Sequence, residues 1–518
     1  MTIFGSPRGN IELRDCTITQ RIIEGLAGDP GRVVIIDGPT GRKVTAKALM
    51  DEIKSLAGGL TEQGLGCGHC IALMAPNTPE FCSVFHAVAW AGGTVTTLNP
   101  AYTASEVRHQ LEDSGAEALV TVPSLLDTAK AGAEGTGVTR IFVIGEADGA
   151  VPLGALMGPP IPEQVPVDVQ DHVVVLPYSS GTTGLPKGVM LTHRNLVVNV
   201  DQIQACVGIA PGEMTPVFLP FFHIYGLEVV MNTYLAAGGG LITMPRFDLE
   251  QFLRLTQDHK ARRLWIAPPV ALALAKHPLV DQFDLSSLEV VISAAAPLGA
   301  DVCQAMGRRL GCTTMQAYGM TELSPASHVN SQAAPRAGSV GPSVPGTSCR
   351  IVDPASGEDL GANGEGELWI KGPQVMKGYH GNSEATASTI TADGWLRTGD
   401  IAVIDDEGYL FIRDRLKELI KFKGFQIAPA ELEAVLVAHP GISDAAVIGA
   451  PDEEAGEVPV AFVVGTNGHT PGIDEIQSHI ASQLASYKQP RSIAFVDAIP
   501  KSASGKILRR VLRDRLAG

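Results

Sequence analysis

His172-Val-Val-Val-Leu-Pro-Tyr-Ser-Ser-Gly-Thr-Thr-Gly-Leu-Pro-Lys-Gly-Val-Met-Leu191 sets two apolar runs around a loop of glycine, hydroxyl residues and one lysine. The runs read as strands and the loop as their connection. This composition suits a polyphosphate, because glycine lets backbone N–H groups approach closely, hydroxyls donate, and Lys187 is a mobile cation. It is not a Walker A loop, which needs Gly-Lys-Ser/Thr opening a helix; here Lys187 precedes Gly188 and the chain continues as a strand. An ordinary Gly/Ser/Thr turn is the plainer alternative, but so many such residues between two apolar runs are rare.

Outward from this stretch, short apolar runs alternate with helical patterns, which predicts an α/β architecture with layered sheets. Leu49, Ile53, Leu56 and Leu60 give one apolar helix face after Thr45, and Cys70-Ile-Ala-Leu-Met-Ala75 follows as a buried strand. Residues 80–90 repeat the helical pattern. Further strands are expected at Ala118-Leu-Val-Thr-Val122, Arg140-Ile-Phe-Val-Ile144, Leu264-Trp-Ile-Ala267 and Glu289-Val-Val-Ile-Ser293, with helices around 104–113, 249–258 and 300–310. From 340 to 411 the chain turns strand- and turn-rich, a β-subdomain. The charged crossing Arg413-Asp-Arg-Leu-Lys-Glu-Leu-Ile-Lys-Phe-Lys-Gly424 then reads as a linker, with a domain boundary near 413–417. Beyond it a small α+β unit is expected: a helix from Pro429, strands at 445–449 and 458–464, a helix over 473–486 and a strand at 492–496.

The 518 residues can bury a sizeable core, and 39 basic against 55 acidic residues leave a net charge of −16. Such a surface argues against nucleic acid or anionic lipid as a partner. The first ten residues lack the apolar core of a signal peptide, and no run reaches the length of a membrane span, so a cytoplasmic protein is the expectation. Eight scattered cysteines fit a reducing compartment. Cys67-Gly-His-Cys70 has the spacing of a disulfide oxidoreductase site, but Cys70 opens a strand instead of a helix, so a turn with two incidental thiols is favoured.

Three further stretches carry candidate chemistry. Gln316-Ala-Tyr-Gly-Met-Thr-Glu322 joins an aromatic, a hydroxyl and a carboxylate, which can stack on a base, hold phosphate and bring Mg²⁺ to it. Read alone, a buried Tyr beside a solvated Glu accounts for it. Trp395-Leu-Arg-Thr-Gly-Asp400 offers a carboxylate suited to a ribose diol, or simply an Asp capping a turn. In Pro500-Lys-Ser-Ala-Ser-Gly-Lys506 a second lysine sits in a Ser/Gly loop, by composition a solvated surface cation.

In this order the stretches resemble the motifs of the acyl-adenylate-forming enzymes. Pro220-Phe-Phe-His-Ile-Tyr-Gly226, Ser293-Ala-Ala-Ala-Pro-Leu-Gly299 and Lys417-Glu-Leu-Ile-Lys-Phe-Lys-Gly-Phe-Gln-Ile-Ala-Pro429 look most like 4-coumarate:CoA ligases of the bacterial type. The resemblance implies an N-terminal ATP- and acyl-binding domain over 1–413, a hinge at 414–417 around Lys417, and a mobile C-terminal lid over 418–518. It implies an AMP-forming acid–thiol ligase using ATP, Mg²⁺ and coenzyme A on a small carboxylic acid, as a monomer or weak homodimer. By resemblance, Ser179, Ser180, Gly181, Thr182, Thr183 and Lys187 hold the β/γ-phosphates, Thr321 the α-phosphate and Glu322 the Mg²⁺. Gln316, Ala317 and Tyr318 face adenine, Asp400 and Arg415 the ribose, and Lys506 bridges acyl carboxylate and phosphate. After lid rotation Lys421, Lys423, Gly424 and Gln426 replace Lys506, with Lys423, Gly424 and Arg246 toward coenzyme A, and His223 guards the acyl tunnel.

Tyr225 is expected to offer its hydroxyl to a ring substituent, with Val229, Ala294, Ala295, Ala296, Ala317, Pro325 and Ala326 as tunnel walls. Plant-type relatives often carry glycine where Ala294 and Ala317 stand and serine where Val229 stands. The extra methyls predict a smaller, less polar pocket, favouring cinnamate-like acids over bulky methoxylated ones. A medium-chain fatty acyl-CoA ligase is the alternative.

Overall fold

The computed structural model describes residues 2–179, 186–423, 425–452, 455–466, 471–503 and 505–517, with Phe425 and Gln426 described by their backbone. The helix Ala46–Glu62 forms where expected: Leu49, Ile53, Leu56 and Leu60 are all buried, and the Thr45 side chain caps its start by accepting from Ala48 N. The strand Cys70–Met74 is buried along its whole length and lies parallel to Thr94–Thr97 on one side and Ala116–Thr121 on the other. A continuous apolar run, not an alternating one, is what a strand covered on both faces requires. Val173–Ser179 extends this sheet in parallel next to Thr94–Thr97, and Lys187–Thr192 then Gly378–Tyr379 close its edge antiparallel.

Two four-stranded sheets flank this layer. One orders Arg263–Ile266, Val290–Ser293, Thr313–Gly319 and Ala326–Val329; the expected strands near 264 and 289 are its first two. The other orders Met214–Val217, Gly240–Thr243, Val33–Asp37 and Lys43–Thr45, and no reading of the sequence anticipated it. Its strands are three to five residues long and come from distant parts of the chain, so no local period announces them. The segment Tyr225–Asn232, also unanticipated, is a π-helix.

The β-subdomain is antiparallel, through Ser348–Val352, Glu365–Lys371, Leu396–Ile404 and Leu410–Arg415. Its last strand corrects the linker reading of Arg413 to Arg415. The strand runs on to Arg415 because Arg415 sits opposite Asp400 in the ladder, an opposite-charge pair that extends the pairing. Residues 416–419 alone separate it from Ile420–Phe422, the first strand of the C-terminal sheet. That sheet, completed by Phe425–Ile427, Ile442–Asp452, Gly456–Gly465 and Ser492–Phe495, has its own core around Ile420, Ile427, Leu432, Leu436, Val447 and Ile476. The helix expected over 473–486 stops at Ala481. Leu484 turns back to donate its N–H to Ile480 O, packs on that core, and a short 3₁₀ turn Ser486–Lys488 follows.

Cys67 is exposed and Cys70 buried, both unbridged, and burial pushes the Cys70 thiol up to about 12, the reverse of a redox-active thiol. No helix among the described residues is long and apolar enough to cross a membrane.

His86, His193 and His328 are buried, and desolvation pushes each down to about 3. Above the ordinary histidine value of 6.5 folded and unfolded chains hold these rings alike, and stability is full. Below it the unfolded chain takes up protons that the native rings refuse, so stability drops as pH falls toward 3. Urea midpoints measured from about pH 7 down to about pH 4.5 are expected to fall steeply, with a slope approaching one proton per buried ring; a flat profile would contradict the assignment.

Candidate active site

Ser179 and Lys187 face each other in the ladder, as do Tyr178 and Gly188, so the loop between them springs from a closed hairpin. Gly188 keeps this crossing close: a Cβ would stand 3.2 Å from the Tyr178 ring and 3.3 Å from His380 Cβ, tight enough that one of them would have to shift. Ser180, Gly181, Thr182 and Thr183 lie outside the described residues. The Lys187 ammonium stands 5.1 Å from the centre of the Tyr379 ring. The Tyr379 hydroxyl in turn donates to Glu322 Oε1 at 2.9 Å. Glu322 is 4 % exposed, which overturns the solvated-Glu alternative. It rides on the turn Thr321–Leu323, next to Thr321. Tyr379 belongs to no motif singled out in the sequence; its short strand Gly378–Tyr379 acquires meaning only from what it pairs with.

The strand Thr313–Gly319 brings Gln316, buried, and then Ala317 and Tyr318 to its end, in register next to Ser293 of Val290–Ser293. The Tyr318 hydroxyl donates to Asp400 Oδ2 at 2.5 Å, and Arg415 Nε donates to Asp400 Oδ1 at 2.7 Å. Three separate motifs thus meet in one network, and Asp400, at 3 % exposure, is far more than a turn cap. Burial raises its carboxyl above the ordinary value, opposed by the Arg415 charge and the Tyr318 hydroxyl.

Lys506 reaches this network from the C-terminal unit. Its loop is tied by Lys506 N to Ser502 Oγ at 3.1 Å and Ser502 N to Lys506 O at 2.8 Å. Gly505 has φ +84°, and a Cβ there would stand 3.2 Å from Ala267 Cβ and 3.3 Å from Pro269 Cδ. The loop therefore sits flush on the start of the helix Pro268–Lys276 of the large domain. Lys506 is half-buried, not the solvated cation its composition suggested. Desolvation lowers its pKa, the Arg415 charge lowers it further, and Glu418, Asp400 and Glu322 oppose the drop. Burial, with the Lys506 charge, pushes His223 down to about 4, so its imidazole is neutral near pH 7. His223 Nδ1 accepts the Tyr225 N–H at 3.2 Å. Two polar contacts reinforce the docking: Lys276 Nζ donates to Val437 O at 3.0 Å, and Asp414 Oδ2 accepts from Ala430 N at 2.9 Å in the first turn of Pro429–Ala438.

Tyr225, Val229 and Ala326 are buried in the large core, and Ala294 and Ala317 pack on its edge; Pro325 is buried, Ala296 half-buried and Ala295 exposed. The Tyr225 hydroxyl donates to Ile266 O at 3.2 Å and keeps its lone pairs to accept from a ring substituent. Arg246, Lys417, Lys421 and Lys423 are exposed. Gln426 pairs with Lys421 through its backbone, its side chain lying outside the described residues, as does Gly424.

The profile of the AMP-binding enzyme family matches residues 24–380, and that of the AMP-binding enzyme C-terminal domain matches 431–506. Among curated proteins, 4-coumarate–CoA ligase 3 of Oryza sativa subsp. japonica is 40 % identical over 531 aligned positions, covering 100 % of this chain and 95 % of that one. An anthranilate CoA ligase in complex with anthranoyl-AMP superposes with TM-score 0.91 at 25 % identity, covering 98 % of each chain. ATP-bound MatB from Rhodopseudomonas palustris, 32 % identical, gives 0.89 over 97 % of this chain and 99 % of that one; its apo form gives 0.79.

Replacing Gly505 by valine forces a branched side chain into a left-handed backbone and against Ala267 and Pro269. Undocking of the loop is expected to raise the amine-labelling rate of Lys506 about tenfold by quantitative mass spectrometry, the equivalent of about 1.4 kcal/mol. An unchanged labelling rate would show that this contact does not hold the loop.

Proposed function

The chain belongs to the AMP-binding enzyme family as an AMP-forming acid–CoA ligase, and on that premise we propose that its acid is an aryl-propenoate of the 4-coumarate or cinnamate kind. In this reading an oxygen of the acid's carboxylate attacks the α-phosphorus of ATP, the bond to pyrophosphate breaks, and acyl-AMP forms. The thiol of coenzyme A then attacks the acyl carbon, gives up its proton, and AMP leaves. The observation that supports this acid is the 40 % identity to a 4-coumarate–CoA ligase over the whole chain, and the adenylation step is supported by the Lys506 loop of the C-terminal unit, seated through Gly505 against Ala267 and Pro269 of the large domain.

Charge builds on the transferring phosphoryl group, and fixed donors in a desolvated site stabilise it best. Lys506 bridges the attacking carboxylate and the α-phosphate; Thr321 donates to the same phosphate; Ser179 and Lys187, with Ser180, Gly181, Thr182 and Thr183, hold the outer phosphates. Gln316, Ala317 and Tyr318 border adenine. Asp400, held by Tyr318 on one oxygen and Arg415 on the other, keeps acceptor lone pairs for the ribose diol.

A single hard carboxylate next to a phosphate-binding lysine is the donor set that suits Mg²⁺, which keeps several waters and binds through one or two carboxylates plus substrate phosphates. Among the described residues no group of three or more metal-ligating side chains gathers, so Glu322 and the phosphates would hold the ion. When bound, Mg²⁺ would neutralise charge on the leaving pyrophosphate.

The second half needs the thiol where Lys506 now stands, hence rotation about Lys417 that brings Lys421, Lys423, Gly424 and Gln426 inward, with Arg246 toward the coenzyme A phosphates and His223 beside the thiol. Lys421 and Lys423 are exposed while Lys506 is docked, an arrangement suited to the first half. The better superposition on ATP-bound MatB than on its apo form supports this.

Among Val229, Ala294, Ala295, Ala296, Ala317, Pro325 and Ala326, the methyls of Val229, Ala294 and Ala317 stand where plant-type relatives often carry smaller or more polar residues, which favours acids with few ring substituents. The expected order of kcat/KM is therefore cinnamate and 4-coumarate first, with ferulate about tenfold or more behind. Octanoate outrunning all three would replace the aryl-propenoate reading by a fatty acyl one. Lys506→Ala is expected to cut pyrophosphate release by about a hundredfold or more while thioester formation from supplied acyl-AMP persists. Lys417→Pro should do the reverse.

A further inference from the structure

Tyr379 lies between two groups that the reaction above uses separately. Its hydroxyl donates to Glu322 Oε1 at 2.9 Å, and its ring face carries the Lys187 ammonium at 5.1 Å from the centre. The ring is 8 % exposed and its backbone is pinned from several sides. Tyr379 N donates to Thr386 Oγ1 at 2.9 Å, His380 N to Gly188 O at 2.8 Å, Lys377 N to Met190 O at 3.0 Å, and Met376 N to Glu322 O at 2.9 Å. The segment therefore stitches the strand that begins at Lys187 to the turn that carries Glu322.

A phenylalanine would fill the same volume. The hydroxyl adds something that packing does not need, since a buried phenol must find a partner and here the partner is this carboxylate. Donation to Oε1 occupies one of its acceptor sites and restrains rotation of the carboxylate, biasing Oε2 toward a hard cation. The ring face restricts a long, flexible lysine before any phosphate arrives, so less rotamer freedom is lost on binding.

We infer that Tyr379 is a positioning residue for adenylation, aligning the Glu322 carboxylate for the divalent cation and the Lys187 ammonium for the phosphates of ATP. It touches neither reacting atom. The inference rests on the reading of Glu322 and Lys187 given above.

The test separates the two contacts. Tyr379→Phe removes the hydroxyl and keeps the ring; Tyr379→Leu removes both. Binding of a non-reacting α,β-methylene analogue of ATP is measured by calorimetry on the whole enzyme, once with Mg²⁺ and once with EDTA. Tyr379→Phe is expected to weaken binding about tenfold or more with Mg²⁺ and to leave it unchanged in EDTA. Tyr379→Leu is expected to weaken it in both. Thioester formation from supplied acyl-AMP should match the wild type in Tyr379→Phe, a split that general damage to the fold would not produce. If Tyr379→Leu does not fold, Tyr379→Phe decides alone. Wild-type Mg²⁺ dependence in Tyr379→Phe, or an equal loss with and without Mg²⁺, overturns the inference. Glu322→Gln is the control: if Glu322→Gln loses the Mg²⁺ effect while Tyr379→Phe keeps it, Tyr379 alone is refuted. If Glu322→Gln itself keeps the Mg²⁺ effect, the metal reading of Glu322 falls and the inference with it.

Discussion

A half-buried lysine, carried by the C-terminal unit into the electrostatic reach of Arg415, is the constraint on which the candidate site depends. Lys506 is desolvated and feels the like charge of Arg415, both of which disfavour its protonated form, while Glu418, Asp400 and Glu322 favour it.

Apolar shape and backbone complete the docking. Gly505 lies flush on Ala267 and Pro269, and Asp414 supplies the first turn of Pro429–Ala438 with the acceptor that its own N-cap, Ala428, lacks. The large domain thus caps a helix of the small one, through a residue at the end of its last strand. The net charge of −16 argues against a broadly basic surface, yet Lys187, Arg415 and Lys506 all belong to the candidate site. Placement, not bulk charge, reconciles an acidic protein with two polyanionic substrates.

Much of the scaffold was legible because its elements carry local signatures. Leu49, Ile53, Leu56 and Leu60 mark a helix face by spacing alone, and Cys70–Met74 announces a strand covered on both sides by its unbroken apolar run. The sheet through Val33–Asp37 and Met214–Val217 was not, since strands so short are stabilised by neighbours far along the chain. Arg413 to Arg415 misled for a related reason: three charges in a row resemble a linker until Asp400 is seen opposite Arg415.

The same division runs through the site. Read singly, the Gln316 to Glu322 stretch, Asp400 and Lys506 looked ordinary; it was their order, together with the glycine-rich stretch and Arg415, that resembled the acyl-adenylate-forming enzymes and pointed to one kind of enzyme. The sequence could not say that Tyr318 and Arg415 share Asp400, that Tyr225 bonds to Ile266 O, or that Tyr379 joins Lys187 to Glu322. Those are contacts between residues tens to hundreds of positions apart. Hydrogen-bond direction, burial and the proximity of like charges are properties of distance, and distance exists only once the chain has folded.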